Sequence, residues 1–229
     1  MIEVIGFDAD DTLWHTENIF QDTQQSLVNI LERYAPHEEI VEKLYATEKA
    51  NIGHFGYGIK GFTLSMVETA VQISDGNVTA HDVQKIIDLG KDMLQAPLDV
   101  FAHIEEVLAD LRRHHRLFMI TKGDLLDQRN KIDKSGLAEY FEVLEVVSEK
   151  DRGTYKGIFD RERVDIRKVA MVGNSVPSDV LPVLELGGIG IHIPYGVTAE
   201  IERHDRDPRS DRFYRLRSAR ELPALIDRL

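Results

Sequence analysis

The strongest constraint on the fold of this chain is a regular alternation of strand-like and helix-like segments through its C-terminal part. Short apolar runs rich in branched residues, typical of buried strands, lie at residues 117–120, 141–147, 169–172 and 189–193. Segments with apolar residues at helical spacing lie at residues 100–115, 124–135, 152–161 and 179–186. Strands that alternate with helices form parallel sheets covered by helices on both faces. The chain is therefore predicted to be an α/β protein with a doubly wound, mostly parallel sheet.

A different pattern follows the first predicted strand, which lies at residues 2–7. Between residues 16 and 95 the apolar residues recur at helical spacing, and short breaks divide the stretch. Such stripes predict helices with one apolar face, about four of them here. We therefore expect a small all-helical domain at residues 15–96, inserted into an α/β core at residues 1–14 and 97–229.

The composition excludes several kinds of site and partner. The chain has no cysteine, so disulfides, thiolate metal sites and a cysteine nucleophile are excluded. Its 28 Lys and Arg residues against 40 Asp and Glu residues give a net charge of -12, which disfavours nucleic acid and acidic membranes as partners. The charge-dense segment at residues 203–212 predicts a solvated loop. No apolar run reaches the ~18 residues of a membrane helix, and no signal-peptide pattern opens the sequence, so we expect a cytoplasmic protein.

Polar residues follow each predicted strand, at the edge where open α/β sheets bind their ligands. They are Asp8, Asp10 and Thr12 after the first strand, Thr121, Lys122 and Gly123 after the second, Lys150 after the third, and Gly173, Asn174 and Asp179 after the fourth. Carboxylate and amide oxygens are ligands that Mg²⁺ prefers. Hydroxyl and lysine side chains bind phosphate oxygens. The strand ends therefore carry residue types that suit a Mg²⁺ ion and a phosphate group, such as that of a small phosphorylated substrate.

Four segments, each at a strand end and in the same order, resemble the motifs of the haloacid dehalogenase-like (HAD) hydrolases. They are FDADDTLW at residues 7–14, LFMITKGD at 117–124, VVSEK at 146–150 and MVGNSVPSDVLPVLELG at 171–187. The resemblance covers the predicted α/β core as far as about residue 195. It implies a Rossmann-like core with a helical cap inserted after the first strand. It also implies a Mg²⁺-dependent phosphatase that acts through an aspartyl-phosphate intermediate.

The resemblance implies a role for four of these residues in the reaction. Asp8 would be the nucleophile that attacks phosphorus, and Asp10 would be the general acid and then the general base. Thr121 and Lys150 would hold the phosphate oxygens. Lys156 is the alternative to Lys150, because it follows closely in the sequence, although the predicted helix contains it.

The same resemblance implies the ligands of the metal. Mg²⁺ would be bound by the Asp8 carboxylate, the Asp10 backbone carbonyl, and the side chains of Asn174 and Asp179. The family commonly has aspartate where this chain has Asn174. An asparagine oxygen can bind Mg²⁺ but carries no charge. Either Asn174 or Asp179 could therefore be the main side-chain ligand from this segment.

Further substrate contacts are expected from both predicted domains. At the strand ends the candidates are Thr12, Lys122 and Gly123. In the helical domain, residues 56–61 match the pattern Gly-x-Gly-x-x-Gly, but no apolar strand precedes them, so a dinucleotide site is not expected. A loop that brings Tyr57 and Lys60 to the substrate is the functional interpretation of this segment.

Three other functions fit the same fold. A phosphomutase would return the phosphoryl group to its substrate. A 2-haloacid dehalogenase would not need the metal, but the resemblance implies that dehalogenases have a different residue at the position of Asp10. A binding protein with weakened catalysis would be consistent with Asn174. The sequence identifies neither the physiological substrate nor the oligomeric state.

Overall fold

The computed structural model of the chain describes residues 1–196 and 207–229. It divides into two compact units, which we name the core unit (Met1–His15 and Leu98–Leu229) and the helical unit (Thr16–Pro97). Part of the charged segment predicted to be a loop lies outside the described residues. Within the described ranges, no helix combines the length and the apolar character needed to cross a membrane.

Six strands of the core unit form one sheet in which every pair of neighbours is parallel. The strands of the chain, including two that lie outside this sheet, are in chain order β1 (Val4–Phe7), β2 (Trp14–His15), β3 (Asp99–Val100), β4 (Arg116–Lys122), β5 (Val143–Val147), β6 (Val169–Gly173), β7 (Ile189–His192) and β8 (Phe213–Arg215). The order across the sheet is β5-β4-β1-β6-β7-β8, and β2 and β3 form a separate antiparallel pair. The winding of the chain reverses at β1, and such a reversal creates a ligand-binding crevice at the carboxyl ends of the strands.

The apolar side chains of the central strands alternate between two cores, as the two-residue period of a strand requires. On β4, Leu117 and Met119 belong to one core, whereas Phe118 and Ile120 belong to the other. Burial on both faces explains why these strands are continuous apolar runs in the sequence. The prediction of a doubly wound parallel sheet is confirmed.

Helices cover both faces of this sheet. The α-helices are α1 (Glu17–Leu31), α2 (His37–Phe55), α3 (Ile59–Ile73), α4 (Ala80–Gln95), α5 (Ile104–Leu111), α6 (Leu125–Ser135), α7 (Arg152–Arg161), α8 (Leu181–Glu185) and α9 (Leu222–Ile226). Ile104 of α5, Ile132 of α6 and Leu222 of α9 belong to the first core. Tyr155 of α7 and Val183 of α8 belong to the second.

The helical unit contains α1 to α4, which bury a core of their own. Leu27 and Leu31 of α1 are fully buried, and they share a helix face because they are four residues apart. Leu44 of α2, Met66 of α3 and Ile86 of α4 pack into the same cluster. The apolar stripes predicted for α1 and α2 are inner faces of these helices, but on α3 Leu64 and Val71 are exposed and Phe62, Met66 and Ala70 form the buried face instead.

The glycine-rich segment of the helical unit is a turn between α2 and α3. Gly56 ends α2 with φ at 72°, and Gly58 precedes α3 with φ at 103°. Both values lie in a region that glycine tolerates best. At Gly61 an added Cβ would lie 2.7 Å from the carbonyl oxygen of Gly56. The glycine spacing is therefore accounted for by this turn; Lys60 lies in the first turn of α3.

Some elements differ at their ends from the sequence prediction. The helix expected at residues 100–115 extends only over Ile104–Leu111, because Val100 belongs to β3 and pairs with β2, and residues 101–103 connect the strand to the helix. The helix expected at residues 179–186 is preceded by a wide turn at Val176–Val180, capped by the hydroxyl of Ser175. These differences leave the sheet and its strand ends unchanged.

Candidate active site

Asp8 and Asp10 lie in a turn that follows β1. The backbone N–H of Asp8 donates to the carbonyl of Val172 on β6 at 2.8 Å, so sheet pairing continues just past the strand. Asp11 then adopts φ at 60°, a left-handed value that aspartate tolerates better than most residues. Within this turn the two carboxylates have different neighbours: Asp8 contacts Thr12 and Lys150, whereas Asp10 contacts residues of β2 and α6.

Asp8 belongs to a buried charge cluster, which we define as Asp8, Lys150 and Asp179. The Lys150 ammonium contacts Asp8 Oδ1 and donates to Asp179 Oδ1 at 2.7 Å. The exposed fractions are 6% for Asp8, 3% for Lys150 and 0% for Asp179. Burying charged groups lowers the stability of the folded protein unless the groups are paired and hydrogen-bonded. A buried cluster of three charged residues is therefore a candidate functional site.

The remaining oxygens of the two carboxylates are also bonded. Asp8 Oδ2 accepts a hydrogen bond from the Thr12 hydroxyl at 3.0 Å. Asp179 Oδ2 accepts one from the backbone N–H of Ser175 at 3.0 Å. An added Cβ at Gly173 would lie 2.1 Å from Asp179 Oδ2. Glycine at this strand end therefore makes room for the Asp179 carboxylate.

The charge cluster shifts the titration of its members. Burial raises the pKa of Asp8 from 3.8 to about 7; the negative charge of Asp179 acts in the same direction and Lys150 opposes it. Burial alone would lower the pKa of Lys150, but the charges of Asp179 and Asp8 hold it well above its ordinary value. The neighbouring carboxylates thus favour the protonated form of Lys150, and burial favours the neutral form of Asp8.

The strand end of β4 carries a buried hydroxyl without a partner. Thr121 is 1% exposed, and its Oγ1 has no hydrogen-bond partner in the described part of the chain. Such a hydroxyl costs about 1–3 kcal/mol unless a ligand satisfies it. Lys122, the next residue, donates to the Ser178 hydroxyl at 2.9 Å, and Gly123 follows it. The end of β4 therefore offers a hydroxyl donor, while Lys122 is tied to the turn after β6.

Asn174 lies beside Asp8, with the Thr12 hydroxyl between them. That hydroxyl is 3.4 Å from Asn174 Oδ1 and 3.0 Å from Asp8 Oδ2. His192 was not predicted from the sequence; its Nε2 donates to the Asn174 carbonyl at 3.0 Å. Because a carbonyl only accepts, this nitrogen carries the proton, and burial lowers the pKa of His192, which favours the neutral ring.

Asp10 has its own set of partners, which the sequence analysis missed. Its carboxylate accepts hydrogen bonds from Trp14 Nε1 at 2.7 Å, Gln128 Nε2 at 2.6 Å and Lys131 Nζ at 3.0 Å. We name these four residues the Asp10 group. Gln128 and Lys131 are three residues apart and share one face of α6, the first helix after Thr121. That spacing is the sequence signal that could have identified them.

The remaining candidates lie outside the buried charge cluster. Lys156 is 62% exposed and pairs with Asp160 on the surface of α7. Tyr57 and Lys60 belong to the helical unit. That this unit acts as a cap, and that Tyr57 and Lys60 contact a substrate, stay predictions.

Comparison with characterised proteins points to phosphatases. The chain is 24% identical to the mouse N-acylneuraminate-9-phosphatase over 239 residues, which cover 98% of this chain and 94% of that protein. It is 24% identical to the glyceraldehyde 3-phosphate phosphatase of Methanocaldococcus jannaschii over 244 residues, which cover 100% of this chain and 99% of that protein. Both similarities extend over the whole chain and include the core and helical units.

A solved structure and a family pattern identify the family of the chain. The crystal structure of a haloacid dehalogenase-like family hydrolase from Xanthomonas campestris superimposes with a TM-score of 0.90 at 36% identity, covering 99% of this chain and 91% of that one. Residues 2–187, which include every strand end of the site, match the haloacid dehalogenase-like hydrolases. The chain therefore belongs to the haloacid dehalogenase-like hydrolase family.

Proposed function

We propose that this hydrolase is a Mg²⁺-dependent phosphatase that cleaves small phosphomonoesters through an aspartyl-phosphate at Asp8. The observation that carries the proposal is the buried contact of Asp8 with Lys150, near the unpartnered hydroxyl of Thr121 on the adjacent strand. Phosphoryl transfer requires a nucleophile and donors that bind phosphate oxygens, and these residues supply both. The phosphatase names of two relatives support the same reaction class.

The oxygen atoms at the strand ends fit a Mg²⁺ site. Asp8 Oδ2 and Asn174 Oδ1 both face the Thr12 hydroxyl, so a carboxylate oxygen and an amide oxygen lie near one point. These are hard oxygen ligands of the type that Mg²⁺ prefers. Together with the Asp10 carbonyl, they form the ligand set that we propose. Bound Mg²⁺ would supply positive charge against the repulsion between Asp8 and an anionic phosphate.

Asp179 has a different proposed role. Both of its carboxylate oxygens are already bonded, one to Lys150 and the other to the Ser175 N–H. Asp179 is also 0% exposed, whereas Asn174 Oδ1 faces the same Thr12 hydroxyl as Asp8 Oδ2, so we assign the side-chain ligand from this turn to Asn174. Asp179 instead holds the Lys150 ammonium against Asp8, where it can bind an oxygen of the phosphoryl group.

The reaction then follows from the positions of the side chains. The Asp8 carboxylate attacks phosphorus, the bond to the leaving oxygen breaks, and that oxygen takes a proton from Asp10. Asp10 next takes a proton from water, whose oxygen attacks the phosphoryl group and releases phosphate and the Asp8 carboxylate. Lys150 and Thr121 bind phosphoryl oxygens in both steps, which stabilises the charge that develops there.

The proposal is tested by measuring phosphate release from a panel of phosphomonoesters, with Mg²⁺ or with EDTA. Wild type should release phosphate only with Mg²⁺, and Asp8→Asn should lose at least about 1,000-fold in kcat, because the amide is a poor nucleophile. Halide release from 2-haloacids is measured in parallel. Halide release with no phosphate release would contradict the proposal.

A matched pair of lysine variants tests the site assignment. Lys150→Met should reduce kcat by about 100-fold or more, because the nucleophile and the phosphate lose their fixed cation. Lys156→Met removes the same group from an exposed ion pair on the neighbouring helix, so kcat should change by less than about 2-fold. Equal losses in both variants would argue against Lys150 as the phosphate-binding lysine.

A further inference from the structure

Three side chains donate hydrogen bonds to the Asp10 carboxylate, which is more than a surface aspartate normally accepts. Its Oδ1 accepts from Trp14 Nε1 at 2.7 Å and from Lys131 Nζ at 3.0 Å. Its Oδ2 accepts from Gln128 Nε2 at 2.6 Å and lies 3.3 Å from Lys131 Nζ. Donors on both oxygens fix the orientation of the carboxylate plane. The side chain of Asp10 is therefore fixed in rotation as well as in position.

These donors are themselves anchored by independent contacts. Gln128 Nε2 also donates to the Lys122 carbonyl at 3.2 Å, at the end of β4. Lys131 also pairs with Asp127 at 3.3 Å, and its side chain is only 14% exposed. Trp14 is fully buried. Removing the polar groups of Lys131 and Gln128 from solvent costs stability. Their hydrogen bonds to Asp10 account for the presence of both residues on this helix face.

We infer that Trp14, Gln128 and Lys131 are positioning residues that aim the Asp10 carboxyl group at the leaving-group oxygen of the phosphomonoester. The inference rests on the proposed phosphatase function, in which Asp10 transfers the proton. Proton transfer requires hydrogen-bond distance and alignment, and a displacement of about 1 Å can cost 100-fold in rate. The Asp10 group is thus expected to determine which leaving groups the enzyme can expel.

The two steps of the reaction depend on this alignment in different ways. Expulsion of an alkoxide needs the proton from Asp10, whereas p-nitrophenolate is a stable anion and leaves without it. Hydrolysis of the aspartyl-phosphate needs Asp10 as the base for either ester. Misalignment should therefore slow the first step for alkyl phosphates only, and the second step for both kinds of ester.

The test compares kcat/KM for an alkyl phosphate and for p-nitrophenyl phosphate, because this ratio reports formation of the aspartyl-phosphate alone. The variants are Lys131→Met, Gln128→Met and Trp14→Phe. Lys134→Met is the matched control, because Lys134 is exposed on the same helix. Trp14→Phe keeps a buried aromatic ring and removes the donor, so it carries the test if the substitutions on α6 prevent folding.

For the variants of the Asp10 group, kcat/KM should fall about 10- to 100-fold with the alkyl ester and less than about 3-fold with the p-nitrophenyl ester. A burst of p-nitrophenolate should precede slow turnover. Lys134→Met should match wild type with both esters. Equal losses with both esters, or no loss with either, would overturn the inference and leave the phosphatase function intact. Absence of turnover by wild type on both esters would overturn both.

Discussion

Replacing the proposed nucleophile Asp8 with asparagine should remove activity and yet make the folded protein more stable, most of all at pH 7 and above. Asp8→Asn keeps the size of the side chain and an oxygen that can accept from Lys150. The pKa of Asp8 is raised from 3.8 to about 7 in the folded protein, chiefly by burial. Because the folded state binds this proton more tightly than the unfolded chain, the stability that it contributes is complete below pH 3.8 and is lost as the pH rises through 7. Asparagine carries no charge and avoids that loss.

The magnitude follows from the size of the pKa change. At about 1.4 kcal/mol per pKa unit, a shift of roughly three units makes ionised Asp8 cost about 4 kcal/mol above pH 7. At pH 5 most folded molecules still carry the proton, and the cost is about 2 kcal/mol. Lys150 keeps its 2.7 Å contact with Asp179 in the variant, so no buried charge is left alone. The stability advantage of Asp8→Asn should therefore rise by about 2–3 kcal/mol between pH 5 and pH 8.

The assay is urea unfolding at pH 5, 6, 7 and 8 in EDTA. Asp133→Asn is the control, because Asp133 is exposed on α6, and its free energy of unfolding should stay within about 0.5 kcal/mol of wild type at each pH. Added Mg²⁺ should stabilise wild type more than Asp8→Asn, since it supplies the missing positive charge. A stability difference that is constant from pH 5 to pH 8, or a variant less stable than wild type at pH 8, would refute the reasoning.

Four further substitutions have expected outcomes. Thr121→Val removes the unpartnered hydroxyl, so it should raise the free energy of unfolding by up to about 1 kcal/mol without phosphate and weaken inhibition by inorganic phosphate about 10-fold. Asn174→Asp adds a charge to the proposed metal site and should lower the Mg²⁺ concentration for half-maximal activity about 10-fold, as read from a Mg²⁺ titration. Gly90→Ala places a Cβ 2.2 Å from Thr63 Oγ1 and should cost about 1–3 kcal/mol in urea unfolding. Gly157→Ala meets open space in α7 and should stabilise by about 0.5–1 kcal/mol in the same measurement.

The sheet could be predicted because its strands are buried on both faces and are short apolar runs between helices. The antiparallel pair of β2 and β3 could not, because two residues are too few for a period to be visible. Their partners are also far apart in the sequence, Trp14 pairing with Val100. The wide turn at Val176–Val180 was missed for a related reason: its apolar residues fit a helical period, and only the Ser175 cap marks the change.

The sequence predicted those residues of the candidate site that follow a strand. Asp8, Lys150 and Asp179 each follow a strand, and the structure brings them together. The partners of Asp10 could not be found in this way, because Gln128 and Lys131 lie on a helix. Polar residues on a helix are usually solvated, so the three-residue spacing of these two is a weak signal until the structure shows that they face Asp10.

Under the proposed function, the charges around the two candidate active-site carboxylates give a reason for a metal cation in addition to the lysines. Lys150 contacts Asp8 and Asp179, and Lys131 contacts Asp10 and Asp127. In each trio one lysine faces two carboxylates, so with all groups ionised one negative charge in each is uncompensated. A phosphate dianion would meet repulsion from both trios, whereas a divalent cation beside Asp8 would balance the excess. The substrate should therefore bind productively only after the metal, since the metal makes the site attractive to an anion. Under the proposed function, Lys150 and Lys131 cannot replace the metal, because each already faces two carboxylates and so leaves one negative charge uncompensated.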